Sequence, residues 1–68
     1  MKMRELTVNG RSVRTGAATL AELLSELGYG QGRIATARNG DFVPERARLE
    51  TRLDAGDKIE VVAPRQGG

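Results

Sequence analysis

Residues 19–28, TLAELLSELG, form the stretch that decides the fold. Thr19 followed three residues later by Glu22 is a capping-box pattern, which predicts that a helix begins directly after Thr19. Gly28 is a typical stop at the C-terminal end of a helix. Four leucines share one face at helical spacing, and they are Leu20, Leu23, Leu24 and Leu27. A helix of about two and a half turns is marginal alone, so we expect this face to pack on a sheet.

The segment before the helix, ELTVNGRSVRT, predicts a β-hairpin. Leu6 and Val8 alternate with polar residues, and Val13 is expected in the return strand. Asn9-Gly10 supplies the two-residue turn, because both residue types tolerate positive φ angles.

After the helix, GYGQG (28–32) predicts a loop, since a phosphate-binding glycine run follows a strand and opens a helix. Two short strands are expected next, IATA (34–37) and Phe42–Val43, joined by a turn at Asn39-Gly40. Pro44 indicates that the second of these strands lies at a sheet edge.

Residues 45–57 predict an irregular connection with one helical turn, in which Leu49 and Leu53 point inward. The connection ends in a turn whose Asp54 and Asp57 are expected to face solvent. KIEVVA (58–63) predicts the final strand, with Ile59 and Val61 on one face and Glu60 and Val62 on the other.

These elements predict a single α+β domain over residues 1–63, in which one main helix packs across a mixed sheet of four to five strands. Residues 64–68 are expected to form a flexible tail, because Pro64 interrupts the regular ladder.

The composition excludes several kinds of chemistry. Of the 68 residues none is Cys or His, which excludes disulfides, zinc and iron–sulfur ligation and persulfide chemistry on this chain. Ser12 and Ser25 therefore have no His partner for nucleophilic catalysis. We expect a non-enzymatic cytoplasmic protein with no metal or cofactor of its own and no membrane segment.

The charges argue against nucleic-acid binding. Eleven basic residues are balanced by nine acidic ones. The arginines are scattered, and Tyr29 and Phe42 are the only aromatic residues, whereas nucleic-acid binders concentrate basic side chains and interleave aromatic ones.

The tail offers the remaining group for chemistry. Residues 65–68 reach roughly 14 Å when extended, and a terminal carboxylate is ionised at neutral pH. Because glycine has no side chain, Gly67 and Gly68 suit a narrow channel in a partner. A frayed tail without a function remains the alternative.

The chain resembles the ubiquitin-like sulfur carriers, and most closely those of thiamine biosynthesis. The resemblance covers nearly the whole chain and rests on VNG, TLAELLSELG, ARNGDFVP and LDAGDKIEVVAPRQGG. It implies a β-grasp fold. It also implies that a partner resembling ubiquitin-activating enzymes uses ATP to adenylate the Gly68 carboxylate.

The resemblance further implies that sulfur from a cysteine desulfurase or a similar donor converts Gly68 to a thiocarboxylate. Thiazole synthase would then receive this sulfur for the thiamine thiazole ring. Arg65, Gln66 and Gly67 would thread the partner's active site.

Three alternatives stay open. One is a sulfur carrier for molybdopterin or cysteine synthesis, since Val43-Pro44-Glu45 departs from the Val-Pro-Arg common in the thiamine branch. The others are a ubiquitin-like protein modifier and an interaction module with an idle tail.

For partner binding, Val62 is the candidate contact on the final strand. Phe42 is a second candidate, although a core position is the stronger expectation for it.

Overall fold

The computed structural model describes residues 2–29 and 33–63. The elements are β1 (Arg4–Val8), β2 (Arg11–Thr15), α1 (Leu20–Glu26), β3 (Ala35–Arg38), β4 (Asp41–Val43), a 3₁₀ helix (Glu45–Ala47) and β5 (Lys58–Val62). This order confirms the predicted succession of two strands, a helix, two strands and a final strand.

The strands form one mixed sheet in the order β2-β1-β5-β3-β4. β1 and β5 run parallel, whereas β1–β2, β3–β4 and β3–β5 are antiparallel pairs. β5, the last strand within the described residues, therefore lies in the centre of the sheet, and β4 lies at an edge as Pro44 predicts.

Both Asn-Gly turns are formed as the sequence predicts. Asn9 and Asn39 each have a φ of 52°, and Gly10 and Gly40 have φ of 82° and 88°. Two successive positive φ angles define the turn whose twist matches that of the flanking strands.

Helix α1 begins with the predicted capping residues. The Thr19 side chain accepts a hydrogen bond from the Glu22 backbone N–H at 3.3 Å. The Glu22 carboxylate accepts from the Ala18 backbone N–H at 2.8 Å, one residue before the position that a capping box specifies. At the other end Gly28 has φ 88°, which confirms it as the stop.

The core lies between α1 and one face of the sheet. Leu20, Leu23 and Leu24 are buried, but Leu27 is 39% exposed, so the prediction that all four leucines face the core is wrong for Leu27. The helix ends at Glu26, which leaves Leu27 in its C-cap, where it lines an open groove of about 410 Å³. The other buried apolar residues are Leu6, Val8, Ala17, Val43, Leu53, Ile59 and Val61.

Two further expectations fail in the connection before β5. Leu49 is 74% exposed. It follows the 3₁₀ helix, in a turn whose backbone is fixed because the carbonyls of Arg48 and Thr51 accept hydrogen bonds from the start of α1. Asp57 is only 5% exposed, because it lies against Arg38 of β3. Leu53 is buried as predicted. The predicted alternation in β5 is also confirmed, because Ile59 and Val61 face the core.

Candidate functional site

β5 is held on both sides by other strands. Thr7 and Val8 of β1 pair with Lys58 and Ile59, and residues 35–38 of β3 pair with residues 59–62. Because β5 is central, the chain beyond Val62 leaves from the middle of the sheet rather than from a frayed edge. At its end β5 keeps a neighbour on the β3 side, where Ala35 pairs with Val62.

Both Asn-Gly turns contact β5 through their asparagine side chains. Asn9 Nδ2 donates to the Val61 carbonyl at 3.1 Å, and Asn9 Oδ1 accepts from the Val61 N–H at 2.9 Å. Asn39 Oδ1 accepts from the Lys58 N–H at 2.9 Å. The sequence indicates the turns, but it does not reveal that their side chains reach the last strand.

The sheet face opposite α1 carries exposed apolar side chains. Phe42 is 69% exposed and Val62 is 63% exposed. The strand registers pair Val62 with Ala35 and Phe42 with Ala37, so these four residues share one face, which we call the outer patch. The exposure of Val62 agrees with the prediction. The expected core position of Phe42 is wrong, because Val43, and not Phe42, points towards the helix.

One ionic network stabilises the other end of β5. Arg38 Nε donates to Asp57 at 2.7 Å, and its Nη2 lies 3.1 Å from the exposed carboxylate of Asp54. Asp57 also accepts from the Asn39 side chain at 3.1 Å and from the Asp54 backbone N–H at 2.8 Å. The carboxylate thereby joins the β3–β4 turn to the start of β5.

These contacts shift the pKa values of Asp57 and Arg38. Burial alone would raise the pKa of Asp57, but the hydrogen bonds from Arg38, the Asp54 backbone and Asn39 together lower that pKa below its usual value. The hydrogen bond to Asp57 is the main cause that raises the pKa of Arg38. A charged, paired Asp57 is a structural group, because its oxygens are occupied by three donors.

Residues 2–29 and 33–63 contain no group of three or more acidic residues arranged to hold a metal ion. No helix in these two ranges is long and apolar enough to cross a membrane. Arg65, Gln66, Gly67 and Gly68 lie outside the described residues, so their predicted roles as stalk and attachment point stay predictions.

A family model described as the ThiS family matches residues 2–68. The chain belongs to the ThiS family. The crystal structure of the thiamine biosynthesis protein ThiS from Geobacter metallireducens is similar, with a TM-score of 0.79 and 32% sequence identity. The match covers 94% of this chain and 99% of that chain.

A curated relative, a thiazole synthase from Paramagnetospirillum magneticum, is 35% identical over 65 residues. The match covers 94% of this chain but only 20% of that relative, so this chain spans a fifth of the relative's length. The β-grasp fold and the family resemblance seen in the sequence are confirmed by the ThiS family match and the ThiS structure.

Proposed function

We propose that this chain is the sulfur carrier of thiamine biosynthesis and acts as a protein co-substrate rather than as an enzyme. The observation that carries the proposal is the ThiS family match over residues 2–68, supported by the ThiS structure at 32% identity. Gly68 is the proposed attachment point, and Arg65, Gln66 and Gly67 form the segment that enters the partner.

The proposed reaction uses the Gly68 carboxylate twice. The carboxylate first attacks ATP on the adenylating partner, which forms an acyl-adenylate and releases pyrophosphate. A persulfide on a cysteine desulfurase or a similar donor then displaces AMP and forms an acyl disulfide. A second thiol of the partner cleaves this disulfide, which leaves the thiocarboxylate on Gly68 and a disulfide on the partner. The chain itself binds no cofactor in this scheme, and we place the reaction in the cytoplasm, whose reducing conditions suit a chain without cysteine.

Thiazole synthase is the proposed acceptor of the sulfur. The relative from Paramagnetospirillum magneticum supports this step, because a protein named thiazole synthase contains a segment similar to this whole domain. A carrier within the same polypeptide as its acceptor has a high effective concentration there, which is a reason for such an arrangement.

The outer patch is the proposed docking surface for these partners. Val62 and Phe42 are largely exposed although both are apolar, and Val62 is the last residue of β5. Burying an exposed apolar side chain of this size contributes about 1.5–3 kcal/mol when its whole surface leaves water. A partner that covers the patch would therefore also lie beside the point where the chain leaves the sheet.

Intact-mass measurement tests the proposal. We would incubate the full chain with ATP, sulfide and the adenylating enzyme from the same organism. The expected product gains the mass of one sulfur in place of one oxygen, and fragmentation places that change on Gly68. Reactions without ATP and with the Gly68 deletion are the controls, and neither should gain this mass.

Two outcomes would contradict the proposal. Isopeptide adducts of higher mass would indicate a protein modifier, and an unchanged mass under conditions that sulfurate a known carrier would indicate an idle tail. Adding the thiocarboxylate form to thiazole synthase and, separately, to molybdopterin synthase distinguishes the two sulfur acceptors.

A further inference from the structure

The Asn9 side chain continues the β1–β5 ladder beyond the end of β1. The backbone ladder pairs Val8 with Ile59, and the Asn9 N–H donates to the Ile59 carbonyl at 2.9 Å. At Asn9 the chain turns into β2, so the backbone of β1 ends before it reaches Val61. The carboxamide of Asn9 supplies both a donor and an acceptor to Val61, as a neighbouring strand would.

Val61 marks the end of the buried part of β5. It is the last buried residue of the strand, at 6% exposed, whereas the next residue, Val62, is 63% exposed. In a strand the N–H and C=O of one residue point to the same edge, so both groups of Val61 point towards β1. Asn9 therefore satisfies both backbone groups of the last buried residue on the side of β5 that the backbone of β1 does not reach.

We propose that Asn9 is a positioning residue for the reaction at Gly68, because it holds the β1 side of the end of β5 while Ala35 pairs with Val62 on the β3 side. The proposal rests on the function proposed above. A displacement of about 1 Å at a reacting centre can lower the rate about a hundredfold. Without Asn9 the end of β5 would be held on the β3 side alone, where Ala35 pairs with Val62, so the strand end could shift on its β1 side.

The turn itself does not require the asparagine side chain. Glycine adopts positive φ without strain, so Asn9→Gly preserves the turn and removes only the two contacts to Val61. The second turn offers a matched control. Asn39 has the same φ of 52° and also accepts a backbone N–H of β5, but at Lys58, the first residue of the strand.

The first measurement is amide hydrogen exchange in the full-length Asn9→Gly and Asn39→Gly chains. After correction for global stability, Asn9→Gly should lower the protection of the Val61 amide about tenfold or more, since a buried N–H loses its acceptor. Asn39→Gly should leave Val61 protected and should expose the Lys58 amide instead. Unchanged protection of Val61 in Asn9→Gly would overturn the proposal without any reference to sulfur chemistry.

The second measurement is pyrophosphate release with the adenylating enzyme. Asn9→Gly should lower kcat about tenfold or more and leave KM within about twofold, because docking is preserved and delivery is not. Asn39→Gly should stay within about twofold of the wild type in both constants. Asn9→Asp keeps the acceptor for the Val61 N–H but places a carboxylate oxygen against the Val61 carbonyl, so its kcat should also fall.

The possible failures can be told apart. An equal loss of kcat in both glycine variants would show a general effect of stability and would refute a specific role for Asn9. A wild-type kcat in Asn9→Gly would also refute it. If the wild-type chain is itself not adenylated, the proposed function fails and the positioning role falls with it, whatever the exchange data show at Val61.

Discussion

Replacing Asp57 by Asn should destabilise the domain strongly and in a pH-dependent way. The Asp57 side chain is 7% exposed and accepts hydrogen bonds from Arg38, Asn39 and the Asp54 backbone N–H. The substitution keeps the shape but removes the charge from a largely buried ion pair. Hydrogen bonds to charged groups contribute about 1.5–3 kcal/mol each, and losing one partner of a buried pair costs about 3–5 kcal/mol.

The expected loss of stability lies below the range for a buried pair, because the Arg38 side chain is 29% exposed and water can solvate part of its charge when Asp57 is replaced. We expect Asp57→Asn to lower the free energy of unfolding by about 2–3 kcal/mol at pH 7. A domain of this size has a total stability of roughly 3–10 kcal/mol. The corresponding fall in Tm is about 10–20 °C.

Urea denaturation of the wild type and Asp57→Asn across pH tests the size and the sign of this effect. The folded-state pKa of Asp57 is lowered, so its contribution is fully present above the unfolded-state pKa and is lost as pH falls through the folded-state pKa. The difference between the two proteins should therefore be constant from pH 7 to about pH 5 and shrink below about pH 4.

Asp54→Asn is the matched control. Asp54 contacts the same Arg38 at 3.1 Å, but its side chain is 78% exposed, so the variant should lose less than about 0.5 kcal/mol. The reasoning would be refuted if Asp54→Asn cost as much as Asp57→Asn. A difference between wild type and Asp57→Asn that did not change from pH 7 to pH 2 would refute the assigned pKa direction.

The remaining predictions concern the core, the docking surface and the attachment point. Leu23→Ala should lower the free energy of unfolding by about 2–4 kcal/mol in urea denaturation, since Leu23 is fully buried, and Leu27→Ala should lower it by less than about 1 kcal/mol. Similar losses in the two variants would contradict the assigned helix face. Phe42→Glu should raise the KM for the adenylating enzyme about tenfold without unfolding the domain, and Leu49→Glu, an equally exposed apolar site outside the outer patch, should leave KM within about twofold. Deleting Gly68 should withdraw the carboxylate by about 3.5 Å and abolish thiocarboxylate formation while the urea midpoint stays the same; full sulfur transfer would exclude Gly68 as the attachment point.

Local patterns in the sequence were sufficient to predict most of the helices, strands and turns of the fold. The alternation in KIEVVA predicted which side of β5 is buried, and Asn-Gly predicted both turns, because these signals depend on a few neighbouring residues. The errors at Leu27 and Leu49 have a different cause. A leucine near the end of a helix or in a connection is buried only if the backbone directs it inward, and that direction is set by distant contacts.

The polar contacts could not be predicted for the same reason. Asp57 looks like an ordinary turn residue, and its burial depends on Arg38, which is 19 positions away in the chain. The contact from Asn9 to Val61 spans 52 positions. Phe42 was expected in the core because it is apolar, but a three-residue edge strand buries only one face, and Val43 occupies that face. For the outer patch, the sequence therefore predicted the exposure of Val62 but not that of Phe42.

The strand that precedes the proposed reactive end is held by both backbone and side-chain contacts. β5 has neighbours on both sides, the Asn39 side chain at its first residue and the Asn9 side chain at its last buried residue. A short domain with a thin core has little stability to distribute, and a strand at the edge of a sheet frays more readily than a central one. If residues 64–68 deliver a carboxylate to a partner as proposed, a fixed base defines the region that the tail can reach. Placing this strand at the centre of the sheet, with asparagine contacts at Lys58 and Val61, supplies that base.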